Sequence, residues 1–224
     1  MIYLLLTAGV FFAYRHVLRP FHSPLANPLL LSILTIISLI LLLDIDLIAY
    51  EQGNKLFIWL LEPAVVALAI PLYQQLPLIR KHFKAIILSC IIAVFLAIST
   101  GLGIALLFSP APEVMLSLIP KSVTSPIAMS IAQNNGGYAS LAASVVIAVG
   151  LLGALFGFSL FKIAKITDPK AQGLAMGAGA HAIGTAKALE MGEQQGAFSS
   201  LALVICGILT AFLAPLFAWL LTIL

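Results

Sequence analysis

Charge is what this sequence has least of. Only 8% of its 224 residues are Asp, Glu, Lys or Arg, against about 25% in ordinary soluble domains. A soluble fold could not dress its surface with so few, so most of the outer surface must face lipid. Metal-ligand spacing is missing as well, since the four histidines stand scattered at 16, 22, 82 and 181. No phosphate-cradling glycine loop, nucleophile elbow or zinc-protease motif occurs. A catalytic reading would rest on His181 alone, so neither an enzyme nor a cofactor nor a metal is expected. The two cysteines, Cys90 and Cys206, both lie in apolar stretches, and a stabilising disulfide is not expected between them. No basic patch is interleaved with exposed aromatics, which removes nucleic acid from the partners.

What the chain has instead is apolar length: 62% of its residues are hydrophobic. At roughly 20 apolar residues per crossing, it holds seven or eight segments and little else, as one membrane domain over residues 1–224. The segments run at about 1–14, 28–43, 56–73, 85–108, 113–134, 138–161, 171–190 and 197–223. The apolar run Ile2 to Tyr14 has no basic residue before it and Arg15 and Arg19 after it. That polarity is the reverse of a secretory signal, and predicts a short first helix with its N-terminus outside. The fold class expected is an all-α, multi-pass membrane protein.

Charge in the connectors is sorted. Arg15, His16, Arg19 and His22 share one loop, Arg80, Lys81, His82 and Lys84 a second, and Lys162, Lys165 and Lys170 a third. The 44–55 loop is acidic, with Asp44, Asp46 and Glu51. The positive-inside rule puts the basic loops in the cytoplasm and 44–55 outside. Segment 85–108 then ends outside while 138–161 starts there, so 113–134 must enter and leave on one side. Seven spans and one re-entrant hairpin result; a violated charge rule restores eight spans.

Three segments carry helix breakers: Pro63 and Pro71, Pro120 and Pro126, and Gly173, Gly177, Gly179 and Gly184. Backbone groups freed by such residues must be buried in protein or line a cavity. Pro63, Val66 and Ile70 match Pro120, Val123 and Ile127 at a constant offset of 57. The match admits an inverted internal repeat or chance in a biased composition. Paired broken segments point to a transporter's binding site.

Lys121-Ser122-Val123-Thr124-Ser125-Pro126 is the sharpest constellation. Ser125 is expected as N-cap, with Pro126 at the first helical position and a helix running to about Asn134. Residues 120–125 then form an unwound strip where free N–H groups, hydroxyls and an ammonium converge, an arrangement suited to an anion. The bland alternative is a snorkelling lysine beside capping hydroxyls. A second constellation is His181, Thr185 and Lys187, leading to Glu190. His181 and Thr185 share a helix face, and Gly184 would let another backbone approach it. His181 is either a satisfied core histidine or a substrate or proton contact. Lys187 and Glu190 either join the site or mark the membrane edge. Gly173 and Gly177 are read as a packing stripe. Glu62, inside an apolar segment, is either interfacial or a titrating, coupling carboxylate. Gln133, Asn134 and Asn135 either coordinate a ligand or, more cheaply, close a helix before Gly136-Gly137, and Ser199-Ser200 cap or contact one.

Three strings carry a resemblance: Pro63 to Tyr73, Pro120 to Met129, and His181 to Lys187 followed by Gly196 to Leu201. Together they resemble the LrgB/CidB family, close to its YohK-type bacterial members, from about residue 25 to the C-terminus. That resemblance implies the bacterial cytoplasmic (inner) membrane and a small LrgA/CidA/YohJ-type membrane partner. It implies one of two functions. Bacterial members are named antiholin-like regulators of murein hydrolase export and autolysis. Related members include the plastid glycolate/glycerate translocator and bacterial pairs linked to pyruvate uptake. Ser125 stands where many members have threonine, and Glu62 where an uncharged residue is expected. The broken segments and the hydroxyl-rich strip favour a secondary carrier of small monocarboxylates. In it Lys121, Ser122, Thr124 and Ser125 bind the carboxylate, faced by His181, Thr185 and Lys187, with His181 or Glu62 coupling. A homodimer is expected, because a moving bundle needs a fixed partner surface.

Overall fold

The computed structural model describes residues 2–20, 27–67, 69–74, 76–108, 111–221 and 223. These form helices and connecting turns, with no strand among the described residues. The chain divides into two compact units, Met1–Leu68 and Ala69–Leu224.

The first unit holds α1 (Ile2–Val17), α2 (Pro28–Leu42), α3 (Leu47–Gly53) and α4 (Lys55–Ala67). Asn27 caps α2, its side chain accepting from the Leu29 and Leu30 N–H groups, and Pro28 opens the first turn. Tyr14 bonds Thr35 at 2.8 Å and ties α1 to α2, while Thr7 bonds Tyr50 at 2.7 Å and ties α1 to α3. The acidic 44–55 stretch is therefore not a plain loop. Asp46 accepts from Ile48 N–H and starts the short helix α3, whose Tyr50 ring stands edge-on to Tyr3. Arg15 and His16 close α1 instead of lying in a connector, where the negative helix end favours them. His22 lies outside the described residues. Pro63 sits inside α4; the Glu62 side chain lies outside what is described.

The second unit contains α5 (Ala69–Gln74), α6 (Leu76–Lys81), α7 (Phe83–Leu107), α8 (Pro112–Leu118), α9 (Ser125–Asn134), α10 (Ala139–Ile163), α11 (Pro169–Met191) and α12 (Glu193–Leu221). Along α7, Ile86, Cys90, Val94, Ile98 and Leu102 recur every four residues and are buried with Phe198, Ala202, Cys206 and Phe217 of α12. The opposite face of α7 leaves Leu88, Ile92 and Leu96 exposed. One inward stripe and an apolar outer face is the pattern of a helix between protein and lipid. Cys90 and Cys206 are free thiols in that seam.

Among the described residues α7, α10 and α12 are long and apolar enough to cross a membrane, and α1 and α2 are shorter apolar helices. The remaining apolar segments are broken. Segment 56–73 is divided between α4 and α5, and 113–134 between α8 and α9. Pro63 lies within a helix and Pro120 in a turn, so the two prolines matched at the offset of 57 occupy unlike local structure.

Candidate functional site

α8 and α9 are two short helices joined by the stretch 119–124. With 7 and 10 residues they are roughly 10 and 15 Å long, too short to cross the hydrocarbon alone. The C-terminal end of α8 is tied to the start of α10 through Ser117, whose hydroxyl donates to Glu113 O and accepts from Tyr138 N–H, both at 2.7 Å. Gly137 is needed there: a Cβ would stand 2.8 Å from the Ser117 nitrogen. Residues 119–124 form the tip between α8 and α9, turned by bonds from Lys121 N–H to Leu118 O and from Val123 N–H to Pro120 O.

The N-cap of α9 is Thr124, one residue before the expected Ser125. Its carbonyl accepts from Ala128 N–H at 2.8 Å, so helical bonding starts there and Pro126 falls in the first turn behind Ser125. No side chain caps this helix. Ser122, Thr124 and Ser125 are half-buried, and no hydroxyl of the three finds a hydrogen-bond partner among the described residues. The capping that would have explained these hydroxyls is therefore not what they do here.

Lys121 is half-buried as well, with no ion pair among the described residues. Its stem lies across Gly101 of α7, where a Cβ would meet Lys121 Cε at 2.6 Å. Gly101 stands six residues before the end of α7, about 9 Å along the axis. The tip is thus sunk alongside a membrane-length helix. Gly101 is a site residue the sequence reasoning missed; its only signal was a glycine inside an otherwise apolar segment.

The other constellation is built on a broken helix. Within α11, Ala180 and His181 leave helical geometry, and His181 takes φ 42° and ψ −136°. A non-glycine residue held in that region carries strain that its surroundings must enforce. His181 is 3% exposed. Its Nε2–H donates to the Val146 carbonyl of α10 at 2.8 Å. Gly150 makes room, since a Cβ there would stand 2.6 Å from the imidazole. Gly184, expected to let another backbone approach, does not admit a neighbouring helix. A Cβ on it would meet Ala180 and Met176 O of the same chain, so Gly184 accommodates the break itself. Gly173 and Gly177 do pack closely on α12, against the Gln195 and Ser199 carbonyls.

Thr185 is fully buried and shares a 2.8 Å hydrogen bond with Ser199, which acts as a helix contact. Lys187 pairs with Glu190 at 2.9 Å on an exposed edge. Strip and break are linked through α10, because Val123 of the tip packs in a buried cluster with Val146. Thus Lys121, Ser122, Thr124 and Ser125 are neighbours in the chain whose side chains have no hydrogen-bond partner among the described residues, His181 reaches the stretch of α10 that Val123 packs on, and Thr185 and Lys187 are engaged elsewhere. Among the described residues no cluster of three His, Cys, Asp or Glu is placed to hold a metal.

A lipid-facing outer surface, broken helices and a polar strip sunk beside a long apolar helix define a helical membrane protein. The LrgB-like family profile matches residues 7–220, and the chain belongs to that family. The match starts well before residue 25, so most of α1 is part of the family pattern. An uncharacterized protein of Haemophilus influenzae is 35% identical over 214 residues, 96% of this chain and 93% of the relative. YxaC of Bacillus subtilis is 34% identical over 220 residues, 98% of this chain and 96% of the relative. A protein of Staphylococcus aureus named holin-like protein CidB is 29% identical over 215 residues, 96% and 94% of the two chains. No solved structure matches.

Proposed function

We propose that the protein is a secondary carrier of small monocarboxylates of the glycolate, glycerate or pyruvate type in the bacterial cytoplasmic membrane. The observation carrying this reading is the stretch between α8 and α9, where Lys121, Ser122, Thr124 and Ser125 stand half-buried with no side-chain partner among the described residues. The N–H groups of Ser125 and Ile127 donate to no capping acceptor among the described residues either. Half-buried polar groups that no protein group engages are free to take a ligand in place of water. An ammonium, hydroxyls and free N–H groups at a positive helix end suit a carboxylate. A hydroxyl of the strip is left for the 2-hydroxyl or 2-keto oxygen. Seven spans with a re-entrant α8–α9 hairpin, basic connectors in the cytoplasm, a homodimer and a small LrgA-type partner complete the proposal.

The holin-like name of the CidB relatives favours a second reading, a regulator of murein hydrolase export that carries nothing. Uptake of labelled glycolate, glycerate and pyruvate by the purified chain in liposomes separates the two. Saturable uptake supports the carrier; its absence with all three, in correctly inserted protein, supports the regulator.

A further inference from the structure

We propose that the junction between α6 and α7 is a docking site for the headgroup of an anionic phospholipid, with Arg80, Lys81 and Lys84 as its charged contacts. The inference stands apart from the transport reading. A cavity of about 500 Å³ opens here, lined by Arg80, Lys81, His82, Phe83, Lys84 and Ala85. Arg80, Lys81 and Lys84 are exposed and His82 is half-buried. The ion pairs among the described residues are Lys170 with Asp168 and Lys187 with Glu190, so none of these basic groups is neutralised by a carboxylate.

The cavity's position selects the ligand. It sits at the first turn of α7, one of the helices long and apolar enough to span a bilayer. Below it the outer face of α7 runs on as an exposed apolar strip of Leu88, Ile91, Ile92 and Leu96. Phe83 is 54% exposed at the boundary between the two, the place where aromatic side chains anchor a helix at the headgroup level. A ligand matching both parts has an anionic head and apolar tails. A free anion would use the charges and leave the strip uncovered. A zwitterionic lipid would cover the strip, but its own ammonium would oppose the basic cluster.

Fluorescence quenching tests this on the full chain in bilayers. Trp59 and Trp219 are replaced by phenylalanine and Phe83→Trp supplies the single reporter. Brominated phosphatidylglycerol and brominated phosphatidylcholine are compared as quenchers. Phosphatidylglycerol should bind several-fold better, and the preference should fall by up to about five-fold for each of Arg80→Gln, Lys81→Gln and Lys84→Gln. Should those variants insert poorly, the parent reporter protein at raised salt decides, because screening must weaken a charge-based preference. Equal quenching by both lipids, or a preference indifferent to salt, would overturn the proposal. So would relief of phosphatidylglycerol quenching by millimolar inorganic phosphate, which would make the site one for free anions.

Discussion

His181 donates its Nε2 proton to the Val146 carbonyl at 2.8 Å from a backbone turned into the left-handed half of conformational space. A carbonyl can only accept, so the bond fixes the tautomer: Nε2 carries the hydrogen and Nδ1 is the position a second proton takes. A broken helix is thereby pinned to a continuous one by a group that can change charge. His181→Gln keeps an N–H donor and removes the titration. It should leave substrate exchange in liposomes intact while abolishing accumulation driven by a pH gradient. Unchanged pH-driven accumulation in that variant would show that His181 only holds the break in place.

The α11–α12 contact predicts a sharp difference between two glycines of one helix. A side chain at Gly177 would collide with the Ser199 carbonyl, whereas Gly179 has nothing within 4 Å of its would-be Cβ. Gly177→Val should destabilise the protein by about 1–3 kcal/mol or more, the cost of overpacking. Gly179→Ala should be near neutral. Thermal unfolding of both variants in detergent is the measurement, and equal shifts would contradict the packing described.

Gly101 sets the position of Lys121 without offering any chemistry of its own. Gly101→Leu should displace the lysine stem and reduce carboxylate uptake markedly. Gly103→Ala, two residues on and facing open space, should not. Circular dichroism of both proteins distinguishes a displaced lysine from a misfolded helix.

Topology is checked by single cysteines in a background lacking Cys90 and Cys206. Positions in 15–27, 74–84 and 162–170 should react with impermeant thiol reagents only from the cytoplasm, and positions in 44–55 only from outside. Labelling of 162–170 from outside would reverse the assignment and make α8–α9 part of a crossing.

The long helices were legible because lipid exposure writes a plain signal: apolar residues on every face, ended by charge. Breaks were legible from Pro120 and the glycines of α11, though not what they serve. Sequence alone could not say that Gly184 accommodates its own helix's kink, nor that Thr185 is taken by Ser199. Both depend on which surfaces meet. Val146 was beyond reach altogether, since it contributes only a backbone carbonyl, and every residue has one. Thr124 replaced Ser125 as N-cap because either hydroxyl residue before Pro126 satisfies the local rules. Asp46 reads in the sequence as loop charge, yet it caps α3.

The central claim is that the α8–α9 tip binds a carboxylate, and one comparison tests it most directly. Uptake of labelled glycolate, glycerate and pyruvate is measured in liposomes holding equal amounts of the parent protein, Lys121→Ala, Lys121→Arg and Lys162→Ala. Lys162 lies in the last, exposed turn of α10 and serves as the control. A charge-assisted hydrogen bond is worth roughly 1.5–3 kcal/mol, so Lys121→Ala should weaken apparent affinity about ten- to a hundred-fold. Lys121→Arg should restore it only in part, because a forked guanidinium needs different room from an ammonium. Lys162→Ala should behave as the parent does. Equal, small losses in Lys121→Ala and Lys162→Ala would contradict the account, for Lys121 would then be a lysine reaching to the membrane surface and nothing more.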